Sequence, residues 1–93
     1  MSSIKLLKNF IAITRHKSVA AASREIGLTA AAAGQQLQHL EHEIDVELFD
    51  RTKRSLALNG NGRALVEPIQ EIIATYESLG ALVLNQNSVA LLF

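Results

Sequence analysis

The sequence predicts a mainly α-helical domain in which three helices lead into a β-hairpin and then into one long helix. Three observations predict it. Apolar residues recur at three- and four-residue spacing between residues 4 and 44. Small polar residues and a glycine stand where that periodicity is interrupted. After a short cationic stretch the helical spacing resumes and runs to Val83.

Each element has its own signal. From Ser3 to His16, Ile4, Leu7, Phe10 and Ile11 form an apolar stripe widened by Leu6 and Ile13, which predicts a first helix packed on one side. Ser18 is placed to cap a second helix of about two turns, in which Val19, Ala22 and Ile26 share a face and Gly27 closes the end. Thr29 is the next cap, and Ala33, Leu37, Leu40 and Ile44 fall on one face of a third helix. Residues 47–51 and 55–58 suit short strands, and the polar, cationic Thr52, Lys53 and Arg54 between them suit the tip of a hairpin. Asn59 caps the last helix, where Leu65, Ile69, Ile72, Tyr76, Leu79 and Val83 alternate spacings of four and three, the a/d seam of a coiled coil. Pro68 should bend that helix and Gly80 weaken its end, while the apolar tail from Asn85 to Phe93 receives no assignment. Two helices joined by a tight glycine turn, with a helix before and a hairpin after, make a winged helix-turn-helix. The division expected is a winged domain over 1–58 and a linker, dimerisation helix and tail over 59–93.

The chain has 93 residues, 48% of them hydrophobic, so it forms one small domain whose burial is expected to continue in a partner copy. It has no cysteine, which excludes a disulfide framework and thiolate metal sites and makes the cytoplasm the expected compartment. Neither a signal peptide nor a membrane-length apolar run is present in the sequence. Formal net charge is zero, but it is unevenly spread. Residues 1–28 carry +4, residues 29–50 carry −5 with no lysine or arginine, residues 51–58 carry +3, and residues 59–93 carry −2. Two basic patches flank an acidic stretch, a distribution that still allows binding to a phosphate backbone.

The stretch SVAAASREIGLTAAAAGQQLQHLEHEIDVELFDRT, the stretch RSLALNGNGRAL and the long helix after them resemble, in that order, the N-terminal domain of LysR-type transcriptional regulators. The resemblance runs from Ile4 to about Leu79. It implies sequence-specific binding of double-stranded DNA by a bacterial transcription regulator, a homodimer formed through the C-terminal helix, and no enzymatic activity. It also implies a small-molecule effector if a larger domain follows the linker helix. The chain departs from the family where the recognition helix begins. The family's Ser-x-Pro-Ala-x-Ser pattern reads here Thr29-Ala30-Ala31-Ala32-Ala33-Gly34, so the second serine is replaced by a glycine.

With Ala33, Leu37, Leu40 and Ile44 turned inward, a rotation of about 100° per residue places Ala31, Gln35, Gln38, His39 and His42 outward. A glutamine side chain can pair with adenine N6 and N7, and an alanine can meet a thymine methyl, so Gln35, then Gln38, and Ala31 are the candidate base readers. Gln36 points to the side. Thr29 and Arg24 flank the turn and are candidates for backbone phosphates, helped by the helix N-terminus. Arg51, Lys53 and Arg54 are the candidate wing contacts to phosphate or minor groove, Arg51 alternatively bracing the hairpin against an acidic neighbour. The dimer seam is Leu65, Ile69, Ile72, Tyr76, Leu79 and Val83.

Other chemistries are disfavoured. His39, His42 and Glu43 lack the four-residue histidine spacing of a zinc-protease helix, and no third ligand is evident. Gly60 and Gly62 are followed by Arg63 rather than by the Gly-Lys-Ser/Thr of a phosphate-binding loop. No cofactor is expected. The competing reading is a winged-helix interaction module that dimerises without binding specific DNA, favoured by zero net charge, Gly34 and the acidic stretch.

Overall fold

Among the described residues five helices follow one another: α1 (Ser3–His16), α2 (Val19–Ile26), α3 (Ala30–Ile44), α4 (Gly60–Glu77) and α5 (Leu79–Leu92). The computed structural model describes residues 3–50 and 56–92, with side chains to residue 85. Helix α1 lies at the centre, in contact with α2, α3 and α4. It is covered on more than the one side its apolar stripe predicts. Leu6, Asn9, Phe10, Ile11, Ala12 and Ile13 are all buried, and five buried residues in succession span more than one helical turn. The polar member, Asn9, donates from Nδ2 to the Ala33 carbonyl at 2.9 Å and so ties α1 to α3.

The caps form as their residue types dictate. Ser18 Oγ accepts from the Ala21 amide at 3.2 Å, and Gly27 ends α2 in the left-handed conformation at φ 75°, which glycine adopts without a Cβ penalty. Two residues after Gly27, Thr29 Oγ1 accepts from the Ala32 amide at 3.1 Å and starts α3 at Ala30. Together α2, the Gly27 turn and α3 build the helix-turn-helix. In the last turn of α2, the hydrogen bond from His16 and the neighbouring Arg15 guanidinium hold the Glu25 carboxyl below the usual carboxylate range.

Two expectations about the inner face of α3 and the hairpin are corrected. Ile44 is 38% exposed, and Glu41 is buried in its place, accepting the Leu48 amide at 2.7 Å. Ile44 is the last residue of the helix and extends past the core, while a carboxylate is needed to satisfy an amide of the incoming segment. No strand forms among the described residues. An antiparallel bridge joins Phe49 to Leu58, with backbone bonds from Asp50 to Ala57 (2.8 Å) and from Asn59 to Leu48 (2.9 Å). Leu48 and Phe49 are both buried, which breaks the alternation a two-faced strand requires. Below the bridge, the Glu47 carbonyl is taken by the side-chain amides of Asn59 and Asn61 (2.8 and 3.2 Å), which ends the ladder. Residues 51–55, where the hairpin tip is expected, lie outside the described residues.

Helix α4 begins at Gly60, capped by Asn59, whose Oδ1 accepts the Gly62 amide at 2.8 Å. It continues through Pro68, and the interruption falls instead at Ser78, before Gly80. Beyond it the tail left unassigned by the sequence is helical to Leu92. Ile69 is only 5% exposed and sits in the core with Phe10, Leu37 and Phe49, while Leu65 packs against that cluster. These two members of the expected dimer seam are occupied within the chain, because the first half of α4 must cover α1. Among the described residues no helix is long and apolar enough to cross a membrane.

Candidate nucleic-acid interface

The outward face of α3 follows from its inward one. Ala33, Leu37 and Leu40 are buried against α1, and Ala31, Gln35, Gln38, His39 and His42 are all exposed on the opposite side. Five side chains of modest size thus form a strip along one side of the helix, four of them able to donate and accept hydrogen bonds across a groove floor. At its head, Thr29 is exposed while its hydroxyl caps the helix, and the amides of the first turn carry the positive end of the helix dipole. Arg24 is exposed in the last turn of α2, and no ion pair holds it among the described residues. The helix-turn-helix therefore brings Arg24, Thr29, Ala31, Gln35 and Gln38 onto one continuous segment.

Gln36 is half-buried beside the strip rather than on it. Its Oε1 is enclosed and has no partner among the described residues, and it lines a cleft of about 380 Å³ with Lys5, Lys8, Ile26, Gly27 and Leu28. Lys8 is in addition paired with Glu77 of α4 at 3.0 Å. At the far end of α3 the charge is of the opposite sign. Glu43, Asp45 and Glu47 are exposed there, and Asp45 ends the helix in the left-handed conformation at φ 57°. Arg51, Lys53 and Arg54 lie outside the described residues. Sequence reasoning missed Asn9 and Glu41, the two buried polar side chains that hold α3 in place. The polar residue among apolar neighbours at position 9 was the available signal.

Gly34 lies partly buried on the flank of α3, and a Cβ built there meets nothing within 4 Å. Gly34→Ala is expected to stabilise the domain by about 1 kcal/mol, since a helix interior disfavours glycine by that amount. Thermal unfolding checks this, with a rise of roughly 4–8 °C expected for a chain of this size.

The description "Bacterial regulatory helix-turn-helix protein, lysR family" matches residues 4–63, which take in α1, the helix-turn-helix, the bridge and the start of α4. The chain belongs to the lysR family. Among its relatives, the transcriptional activator AmpR of Providencia stuartii is 38% identical over 76 residues, covering 82% of this chain and 26% of that protein. The regulator CbbR of Sinorhizobium medicae (strain WSM419) is 33% identical over 84 residues, covering 86% and 27%. This lysR-family chain spans about a quarter of the length of the curated relatives it matches. Among solved structures, full-length CbnR complexed with its target DNA superposes with a TM-score of 0.81 at 27% identity, over 88% of this chain and 28% of that one. The DNA-binding domain of BenM in complex with its benA site 1 DNA superposes at 0.82 with 17% identity, over 94% and 98%, and shows the shared fold.

Proposed function

We propose that this lysR-family domain binds double-stranded DNA sequence-specifically, as the DNA-binding part of a bacterial transcription regulator working in the cytoplasm. The observation that carries this reading is the exposed strip of α3, opposite a buried face that fixes its orientation. DNA complexes of the structural relatives support it. The strip enters the major groove, Gln35 and then Gln38 read base edges, and Ala31 meets a thymine methyl. Thr29 and Arg24 hold backbone phosphates, and a wing closed at its base by the Phe49–Leu58 bridge presents Arg51, Lys53 and Arg54 to phosphate or minor groove. Two copies join through the apolar side of α4 and α5 that the monomer leaves uncovered, formed by Ile72, Tyr76, Leu79 and Val83. A small-molecule effector belongs to the scheme where a further domain follows.

The test is Gln35→Ala. Ala33, Leu37 and Leu40 hold the other side of the helix, so stability holds or rises slightly. Affinity for the preferred site is expected to fall by about 1–3 kcal/mol, with preference lost at one base pair and little change on random DNA. Equilibrium binding to a panel of single-substitution duplexes measures both. An unaltered panel would make Gln35 a solvated residue. The exposed acids at the end of α3 favour a second reading, a dimerising interaction module, which the absence of any preferred site would support.

A further inference from the structure

We propose that His39 and His42 are DNA-contact residues whose protonation sets the strength of binding, so that the domain holds DNA more tightly in mild acid than in mild alkali. The inference rests on the proposed insertion of α3 into the major groove. It adds that the far end of the helix meets phosphate rather than bases.

His42 lies on the same strip as Ala31, Gln35 and Gln38, with His39 at its margin, and both are exposed. At 1.5 Å per residue His42 stands about 16 Å beyond Ala31 along the axis. A recognition helix lying in the major groove contacts base edges with its N-terminal residues, so a side chain on the same face but further along the axis, as His42 is, passes beyond the base readers toward the bordering phosphates. Those phosphates would meet an unfavourable surface. The C-terminal end of a helix is the negative end of its dipole, Glu43, Asp45 and Glu47 are exposed around it, and residues 29–50 contain no lysine or arginine. The two imidazoles are the only groups in that stretch able to become positive.

Their surroundings come from three elements. On α3 itself His39 Nε2 lies 3.9 Å from Glu43 Oε2, and from α1 Ser3 Oγ donates to Glu43 Oε1 at 3.5 Å, with Lys5 the nearest cation of that helix in sequence. Beyond the helix, His42 shares a shallow hollow with Gln38, Glu41, Asp45, Val46 and Glu47. Glu41 is turned inward to the Leu48 amide, so the acids beside the strip are Glu43, Asp45 and Glu47. Protonation of the imidazoles offsets these carboxylates and converts two neutral side chains into donors of charge-assisted hydrogen bonds to phosphate.

The experiment measures affinity for a labelled random-sequence duplex of about 30 base pairs at fixed ionic strength, between about pH 5.8 and pH 8, the range in which imidazole charge changes. The parent is expected to bind about tenfold more tightly at the acidic end, the value of a charged hydrogen bond gained. The double variant His39→Gln/His42→Gln should bind at every pH as the parent does in alkali, and His42→Arg should bind tightly throughout. His16 and the basic residues 51–54 are present in all three proteins, so their contribution cancels in the comparison. A flat profile for the parent, or a double variant that keeps the full dependence, overturns the proposal. Absence of binding at every pH overturns the DNA-binding reading as well, which separates the two failures.

Discussion

Gly62→Ala is expected to unfold this domain at a temperature roughly 4–24 °C below that of the parent. A Cβ at this position would stand 2.2 Å from the Leu48 carbonyl oxygen and 2.7 Å from Leu58 Cδ2. The leucine methyl can swing aside, but the carbonyl cannot. It accepts the Asn59 amide at 2.9 Å as half of the bridge that closes the hairpin base, and Asn59 in turn caps α4 through the Gly62 amide. Relief therefore requires parting α4 from the Leu48 segment, which disturbs both the cap and the bridge. Overpacking of this kind costs about 1–3 kcal/mol, and each kcal/mol shifts the melting temperature by roughly 4–8 °C in a domain of this size. Thermal unfolding followed by circular dichroism measures it. A midpoint within about 2 °C of the parent would show that the contact between α4 and Leu48 is not as tight as described.

Ile72→Asp is expected to convert the proposed dimer to a folded monomer. Ile72 is 52% exposed, so the substitution leaves the chain's own core intact while placing a charge on the apolar surface proposed to meet a second copy. Affinity between copies should fall at least about a hundredfold, the effect of roughly 3 kcal/mol. Binding to a two-half-site duplex should fall with it, because each domain then engages one half-site alone. Ile69→Asp serves as the contrast. Its side chain sits in the core beside Phe10, so that variant should lose its fold rather than only its partner. Sedimentation at tens of micromolar, roughly the range of a weak interface, with circular dichroism alongside, separates the outcomes. A parent that sediments as a monomer, or an Ile72→Asp protein that stays dimeric, would contradict the proposed interface.

The helix-turn-helix is legible in the sequence because its signals are local. Ser18, Gly27, Thr29 and Asn59 each act on the amides or carbonyls of their own turn, and all four stand where the periodicity placed them. The exposed strip of α3 is legible for the same reason, since a buried face at helical spacing fixes the opposite one. What the sequence does not show depends on residues far apart in the chain. Ile44 and Glu41 exchange places relative to the apolar pattern because the Leu48 amide needs an acceptor. Leu65 and Ile69 satisfy the heptad rule equally well against a partner or against α1, and periodicity carries no information about which helix supplies the hole. Gly62 reads as a flexible turn until the Leu48 carbonyl beneath it is seen.

The central claim is that the strip on α3 reads DNA. Selection of the parent chain against a random-sequence duplex pool, at about 50 mM and about 200 mM salt, tests it most directly. The expected result is an enriched motif whose affinity falls steeply between the two conditions, as release of counterions from several phosphate contacts requires. A pool that returns no motif, with binding weak at low salt and insensitive to the change, would contradict it and leave the exposed face of α3 to a protein partner.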